Sequence, residues 1–238
     1  EMEESDWSSD VCSSDLNHPA AVLSSGEHGS RMVVRAVSGL GHVCDGSQFH
    51  ALETESLMNQ KNWLITGCSS GFGRAITEAA LAAGQRVVAT ARDVRSIADL
   101  ERAGSCEVMT LDVTDADDVR EVIAAAGPLD VIVNNAGYGL IGAVEECSDE
   151  QIRRNVETNF FGPLNVIRAA LPGLRSQRCG HIVNISAAAI SNYAGFGIYG
   201  GAKAALELMS ESLRQVPVRA PGLLPPECVD QSTVRAQA

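Results

Sequence analysis

The chain has 238 residues, enough for one domain with a sizeable core, and its 45% hydrophobic content is ordinary for a globular protein. A formal net charge of −12 at pH 7 argues against nucleic acid or an anionic membrane as partner, yet leaves room for a phosphate held locally by backbone amides. Seven cysteines stand singly, with no C-x-x-C pair and no histidines at zinc spacing, so free thiols in a reducing compartment and no metal are expected.

Residues 1–57 do not read like the remainder. Glu1 to Ser30 is rich in Ser, Asp and Glu and holds neither a helical nor a strand period. Asp10-Val11-Cys12-Ser13-Ser14-Asp15-Leu16 resembles a translated sequencing adapter, and Met58 reads as a natural start. Short apolar pieces at Met32–Val37 and Gly39–Val43 lack flanking signals. Residues 1–57 are therefore expected to be a non-native or disordered extension. The acidic start lacks the basic beginning of a signal peptide, and no apolar run approaches the roughly 18 residues of a membrane span. A cytoplasmic location is the expectation.

From Lys61 strand and helix signals alternate, which predicts a parallel sheet covered on both faces. Asn62–Thr66 reads as the first strand and 71–83 as the first helix, stopped by Gly84. Arg86–Ala91 is the second strand, followed by a short helix near 94–103. Glu107–Leu111 is the third strand, and Thr114-Asp115-Ala116-Asp117 opens a helix that ends before Gly127-Pro128. Asp130–Asn134 is apolar on both faces and reads as the fourth strand. Ser148-Asp149-Glu150-Gln151 is a capping box for a long helix through Leu171, bent at Pro163. His181–Ile185 is the fifth strand, and 198–215 is the last helix. Residues 216–238 hold four of the eight prolines and read as an irregular tail.

Between the first strand and the first helix lies Thr66-Gly67-Cys68-Ser69-Ser70-Gly71-Phe72-Gly73. A strand, a glycine turn and a helix together set a helix N-terminus against a pyrophosphate. The missing side chains let backbone N–H groups close on the phosphates. Asn134-Asn135-Ala136-Gly137 ends the fourth strand, Asn159 lies in the long helix, Ser186 follows the fifth strand, and Tyr199-Gly200-Gly201-Ala202-Lys203 opens the last helix. Tyr199 and Lys203, four apart, share one helical face, so the ammonium can sit beneath the phenol. Such a phenol can give a proton to an oxygen on which charge develops, Ser186 can donate a hydrogen bond to the same oxygen, and Lys203 can stabilise the phenolate.

T-G-x-x-x-G-x-G, N-N-A-G, the serine after strand five and Y-x-x-x-K, in that order, resemble the short-chain dehydrogenase/reductase family over about 58–215, and within it the branch of hydroxysteroid and retinol dehydrogenases. The resemblance implies a Rossmann doubly wound parallel sheet of α/β class and an oxidoreductase acting on a small carbonyl or alcohol, with a homo-oligomeric parent enzyme. It implies Asn159, Ser186, Tyr199 and Lys203 as catalytic residues, Asn159 anchoring a water that connects Lys203 to solvent. It implies cofactor contacts from Gly67, Ser69, Ser70, Gly71, Phe72, Gly73, Arg92, Asp112, Val113, Asn134, Ala136, Gly137, Tyr199 and Lys203. Arg92 stands where an acidic residue would grip a ribose 2′-hydroxyl, and a guanidinium suits a 2′-phosphate, so NADP(H) is preferred over NAD(H), with Asp93 alongside as a competing signal.

The family continues past the catalytic helix into further strands, and none is readable after Gln215. The fifth strand is therefore expected at an exposed sheet edge and the chain is expected to be C-terminally truncated. Two other classes remain open on the sequence. A cofactor-binding fragment or sensor would keep the glycine turn and be indifferent to Tyr199. A sugar-nucleotide epimerase or dehydratase would keep Y-x-x-x-K but need a substantial C-terminal substrate domain.

Overall fold

The computed structural model describes residues 22–24, 31–33, 60–187, 193–215 and 229–236. Its main body is a six-stranded parallel sheet built from β3 (Asn62–Ile65), β4 (Arg86–Ala91), β5 (Cys106–Thr110), β6 (Val131–Asn134), β7 (Gly180–Ala187) and β8 (Val229–Ala236), in the spatial order β5-β4-β3-β6-β7-β8. In a second, two-stranded sheet, β1 (Val22–Ser24) and β2 (Arg31–Val33) pair antiparallel.

The helices are α1 (Gly71–Ala82), α2 (Ala116–Ala126), α3 (Asp149–Val156), α4 (Gly162–Gln177) and α5 (Gly197–Gln215). The short helix expected near 94–103 is present as a 3₁₀ helix over Val94–Ala103, with Asp93 as its N-cap.

Because neighbours in a parallel sheet share register, each apolar row faces one layer of helices. Val88, Leu64, Ile132 and Ile182 stand in one row, buried beneath α2 and α4 through Val119, Val122, Val166, Ile167 and Leu174. Val108, Ala89, Ile65, Val133 and Val183 form the adjacent row and face the opposite way, against Phe72, Ile76 and Ala80 of α1 and Ile97 and Leu100 of the 3₁₀ segment. The strands read as continuous apolar runs because both faces are covered.

Three readings are corrected. The tail 216–238 was expected to be irregular, with strand five left at the edge; instead Val229–Ala236 pairs with β7 along its whole length, from Gly180↔Val229 to Ala187↔Ala236. The prolines that argued for coil (Pro217, Pro221, Pro225 and Pro226) all precede this proline-free stretch, whose backbone pairs with the edge of β7. In the N-terminal region, β2 overlaps the apolar piece at 32–37, whereas β1 falls in a stretch that read as aperiodic. The remaining residues of 1–57 and of 216–238 lie outside the described residues.

The third correction concerns the long helix. It runs on to Gln177, and at 157–161 it widens into a π turn rather than merely bending. Pro163 has no N–H for the carbonyl four residues back, that of Asn159, and the Gly162 N–H instead reaches Glu157 O, five residues back. Both predicted caps are present. Ser148 and Gln151 form the capping box, and the Asp115 side chain accepts from the N–H groups of Asp117 and Asp118.

A polar ladder crosses the core on the α5 side. Asn134 Nδ2 donates to Asn184 Oδ1 (2.8 Å), Asn184 Nδ2 donates to Ser210 Oγ (2.7 Å), and Ser210 Oγ donates to Leu206 O (2.7 Å). All three side chains are buried, so each bond removed leaves a group that water cannot reach. Asn184→Ala is expected to destabilise the chain by about 2–4 kcal/mol, and Ser210→Ala by about half as much. Urea denaturation of the full chain checks this, and equal, negligible losses would show the ladder to be dispensable.

Candidate active site

Two turns meet at the carboxyl ends of β3 and β6, where the strand order reverses. Thr66 Oγ1 joins them: it accepts from the N–H groups of Asn135 and Ala136, each at 3.0 Å, and donates to Val133 O at 3.3 Å. Asn135 returns the contact, its Nδ2 donating to Thr66 O (2.9 Å) and Gly67 O (3.1 Å). The turns press so closely that a Cβ on Gly67 would lie 2.8 Å from Ala136 Cα, and one on Gly73 would collide with Gly67 O. Gly67 (φ 71°) and Gly71 (φ 58°) take left-handed conformations that other residues resist. Gly73 is thus a packing glycine, and the open face of the turn belongs to Gly67, Ser69, Ser70, Gly71 and Phe72.

The first turn of α1 is left available to an anion. Ser70 is its N-cap, yet its side chain makes no capping bond and no acidic residue lies in that turn. The unpaired N–H groups and the helix dipole there face a cavity of about 1040 Å³. Arg92, Asp112, Val113, Ala136 and Gly137 also line this cavity. Asp112 is held in place by Thr114, whose N–H (2.9 Å) and hydroxyl (2.7 Å) both donate to its Oδ1.

At the other end of the same cavity stand Ser186, Tyr199 and Lys203. Ser186 is buried, and its Oγ has no hydrogen-bond partner among the described residues. Lys203 is 3% exposed, donates from Nζ to Ile185 O at 2.9 Å, and lies 6.0 Å from the centroid of the Tyr199 ring. Burial pulls the lysine's pKa down to about 8 and pushes the Tyr199 phenol up. The rings of Tyr193, Phe196 and Tyr199 follow one another at 6.4 and 6.3 Å, leading an aromatic wall towards the phenol.

Asn159 stands behind this wall rather than on it. Its Nδ2 donates to Tyr138 O (2.9 Å) and Asn155 O (3.0 Å), and Asn155 Nδ2 donates to the same Tyr138 carbonyl (3.0 Å). Its Oδ1 is buried without a partner and lies so near Gly137 that a Cβ there would come within 2.5 Å of it and 3.4 Å of Lys203 Nζ. Asn134, expected to touch the cofactor, does not line the cavity. It points into the polar ladder of the core, and Asn135 is the cavity residue. Alternation at the end of β6 requires the two to face opposite sides, and packing decides which of them faces the cavity. Tyr138, Tyr193 and Phe196 also line the cavity, and nothing in their spacing announced it.

The residues present fit a dinucleotide. An uncapped helix start and a glycine turn have the form that holds a pyrophosphate, Asp112, Val113 and Ser186 line the same cavity, and Ser186 Oγ and Asn159 Oδ1 are buried without partners among the described residues. Among the described residues no group of three or more His, Cys, Asp or Glu could hold a metal ion, and no helix is long and apolar enough to cross a membrane.

This arrangement is that of the short-chain dehydrogenases, and the chain belongs to that family: the family model described as short chain dehydrogenase matches residues 61–218. The chain is 44% identical over 160 residues to oxidoreductase claN of Passalora fulva, covering 63% of this chain and 72% of that protein. It superposes on a short-chain dehydrogenase from Streptomyces avermitilis with a TM-score of 0.68 at 41% identity, covering 74% of this chain and 64% of the other. The closed form of a serine dehydrogenase complexed with NADP+ matches with a TM-score of 0.62 at 34% identity, covering 64% of this chain and 65% of the other. A short-chain dehydrogenase/reductase from Burkholderia phymatum in complex with NAD matches with a TM-score of 0.67 at 28% identity, covering 74% and 64%. The chain spans about two thirds of these solved proteins and about half of some curated relatives. The family comprises NAD(P)-dependent oxidoreductases.

The buried lysine sets a stability trade-off. Its folded pKa of about 8 lies below the ordinary 10.5, so between these values the unfolded chain holds the proton and the folded chain does not. Stability therefore rises with pH across that window, and below about pH 8 the fold must bury a cation. Lys203→Met is expected to raise stability at pH 7 by about 1–2 kcal/mol and to flatten the pH dependence between 8 and 10.5. Thermal melts at pH 7 and 10 check this, and a destabilised variant at pH 7 would show that the bond to Ile185 O outweighs desolvation.

Proposed function

We propose that the chain transfers hydride between NADP(H) and a small carbonyl or secondary-alcohol substrate, with Tyr199 as general acid and base. The observation that carries this is the convergence of Ser186, Tyr199 and Lys203 on the cavity that the glycine turn opens. The reduced nicotinamide supplies the hydride. The chain's part is to hold and protonate the oxygen. Ser186 Oγ, which has no protein partner, donates a hydrogen bond to the substrate oxygen as charge develops there. Tyr199 gives that oxygen its proton, and its raised pKa keeps the phenol protonated at neutral pH, ready for reduction. Lys203 stabilises the phenolate left behind. Asn159 holds the Tyr138 carbonyl and the loop above Gly137. Support for NADP(H) comes from Arg92, which lines the cavity and has no ion pair among the described residues. Cytoplasmic location and a homo-oligomeric state stay part of this proposal.

Tyr199→Phe is expected to lower carbonyl reduction at least 10³-fold while leaving the NADPH dissociation constant within about twofold, because only the proton donor is lost. NADPH oxidation beside fluorescence titration of NADPH measures both. A Tyr199→Phe protein that reduces ketones refutes the assigned acid, and an unmutated chain that binds NADPH without turnover fits the sensor reading.

Two further outcomes follow. Reduction is expected to hold a plateau below about pH 8 and to fall above it as Lys203 loses its proton, so a profile that rises through pH 8–9 contradicts the role of the cation. NADPH is expected to bind more tightly than NADH, roughly 10-fold or more, and Arg92→Ala to erase most of that difference. Equal affinities for the two cofactors in the unmutated chain overturn the selection.

A further inference from the structure

We infer that Arg95 is a specificity-determining residue for the 2′-phosphate, acting through Asp93. This rests on the reading of the cavity as an NADP(H) site. Immediately after β4 the chain places Arg92 on the cavity wall and Asp93 next to it. A carboxylate at that corner opposes phosphate selection in two ways. It can pair with the neighbouring guanidinium, and it repels a dianionic phosphate while welcoming ribose hydroxyls.

The structure removes both effects. Asp93 Oδ1 accepts from the backbone N–H (3.1 Å) and Nε (2.9 Å) of Arg95, and its Oδ2 accepts from Arg95 Nη2 (2.9 Å). These bonds hold the Asp93 carboxyl below the usual carboxylate range. The turn is fixed by Ser96, whose hydroxyl donates to Asp93 O at 2.6 Å, and the same 3₁₀ segment is tied to α1 by the Arg74–Asp99 ion pair. With Asp93 neutralised, Arg92 keeps its charge for the ligand, and the corner Arg92–Asp93–Arg95 carries a net +1.

Both partners are substantially exposed (side chains 88% and 54%), so the pair contributes little to stability. Its consequence is the local charge. Without Arg95 the corner is neutral and Asp93 is released towards Arg92.

The test is fluorescence titration of the full chain with NADPH and with NADH, at low salt and at high salt. Arg95→Ala is expected to weaken NADPH roughly fivefold and to leave NADH unchanged or slightly tighter, the difference shrinking at high salt. Adding Asp93→Asn to Arg95→Ala is expected to restore NADPH binding, because asparagine still caps the segment but carries no charge. Equal weakening of both cofactors, or no restoration by Asp93→Asn, overturns the inference and leaves a structural role for Arg95. An unmutated chain that prefers NADPH and loses that preference in Arg92→Ala, but is indifferent to Arg95→Ala, overturns this inference alone. Equal affinity of the unmutated chain for both cofactors overturns it together with the NADP(H) reading.

Discussion

The site depends on the Thr66–Asn135 clamp between the turns that follow β3 and β6. One threonine hydroxyl answers three backbone groups, and one asparagine amide answers two carbonyls of the glycine turn. In an open parallel sheet these two turns diverge at the point where strand order reverses, leaving a crevice. The clamp sets the width of that crevice, and the absence of side chains at Gly67 and Gly73 lets the turns close to contact. The helix start that faces the cavity, Asp112 and the first turns of α5 are arranged around this pair of turns.

Unsatisfied groups gather at the same end of the sheet. Ser186 Oγ and Asn159 Oδ1 are buried without partners, Lys203 is a buried cation, and α1 begins without a side-chain cap. Elsewhere α2 and α3 are capped, the Asn134–Asn184–Ser210 ladder leaves Asn134 Oδ1 unanswered, and Trp63 Nε1 at the start of β3 is buried without a partner among the described residues. On the proposed reading, a substrate oxygen or a phosphate would complete the groups the fold leaves incomplete at the site, and the apolar layers on the two faces of the sheet offset what that incompleteness costs. The π turn belongs to the same economy. Pro163 withdraws a donor, the helix widens, and Asn159 is carried towards the Tyr138 carbonyl.

Much of this was legible in the residues alone. The strands from β3 to β7 follow from apolar runs between glycines. The caps at Asp115 and Ser148, and the order of glycine turn, serine, tyrosine and lysine, are local patterns that depend on neighbours a few residues away. The pairing of Tyr199 with Lys203 is likewise local, since the pitch of one helix sets them on the same face. The family follows from those patterns together. What local pattern misjudged was the tail, where prolines at 217–226 concealed a strand beyond them.

Only the tertiary structure decided which asparagine faces the cavity, what covers the edge of β7, and who answers Asp93. Asn134 and Asn135 are chemically identical neighbours, and their fates diverge because the pleat sends one to the core and the other to the crevice. The edge of β7 is closed by a strand more than forty residues away, through backbone bonds that any proline-free segment can make. The Asp93–Arg95 pair is close in sequence, but whether the arginine turns to its neighbour or to the cavity depends on the path of the chain after β4. Sequence determines such features only where the partner lies within a turn or two; beyond that, the sheet selects the partner by geometry.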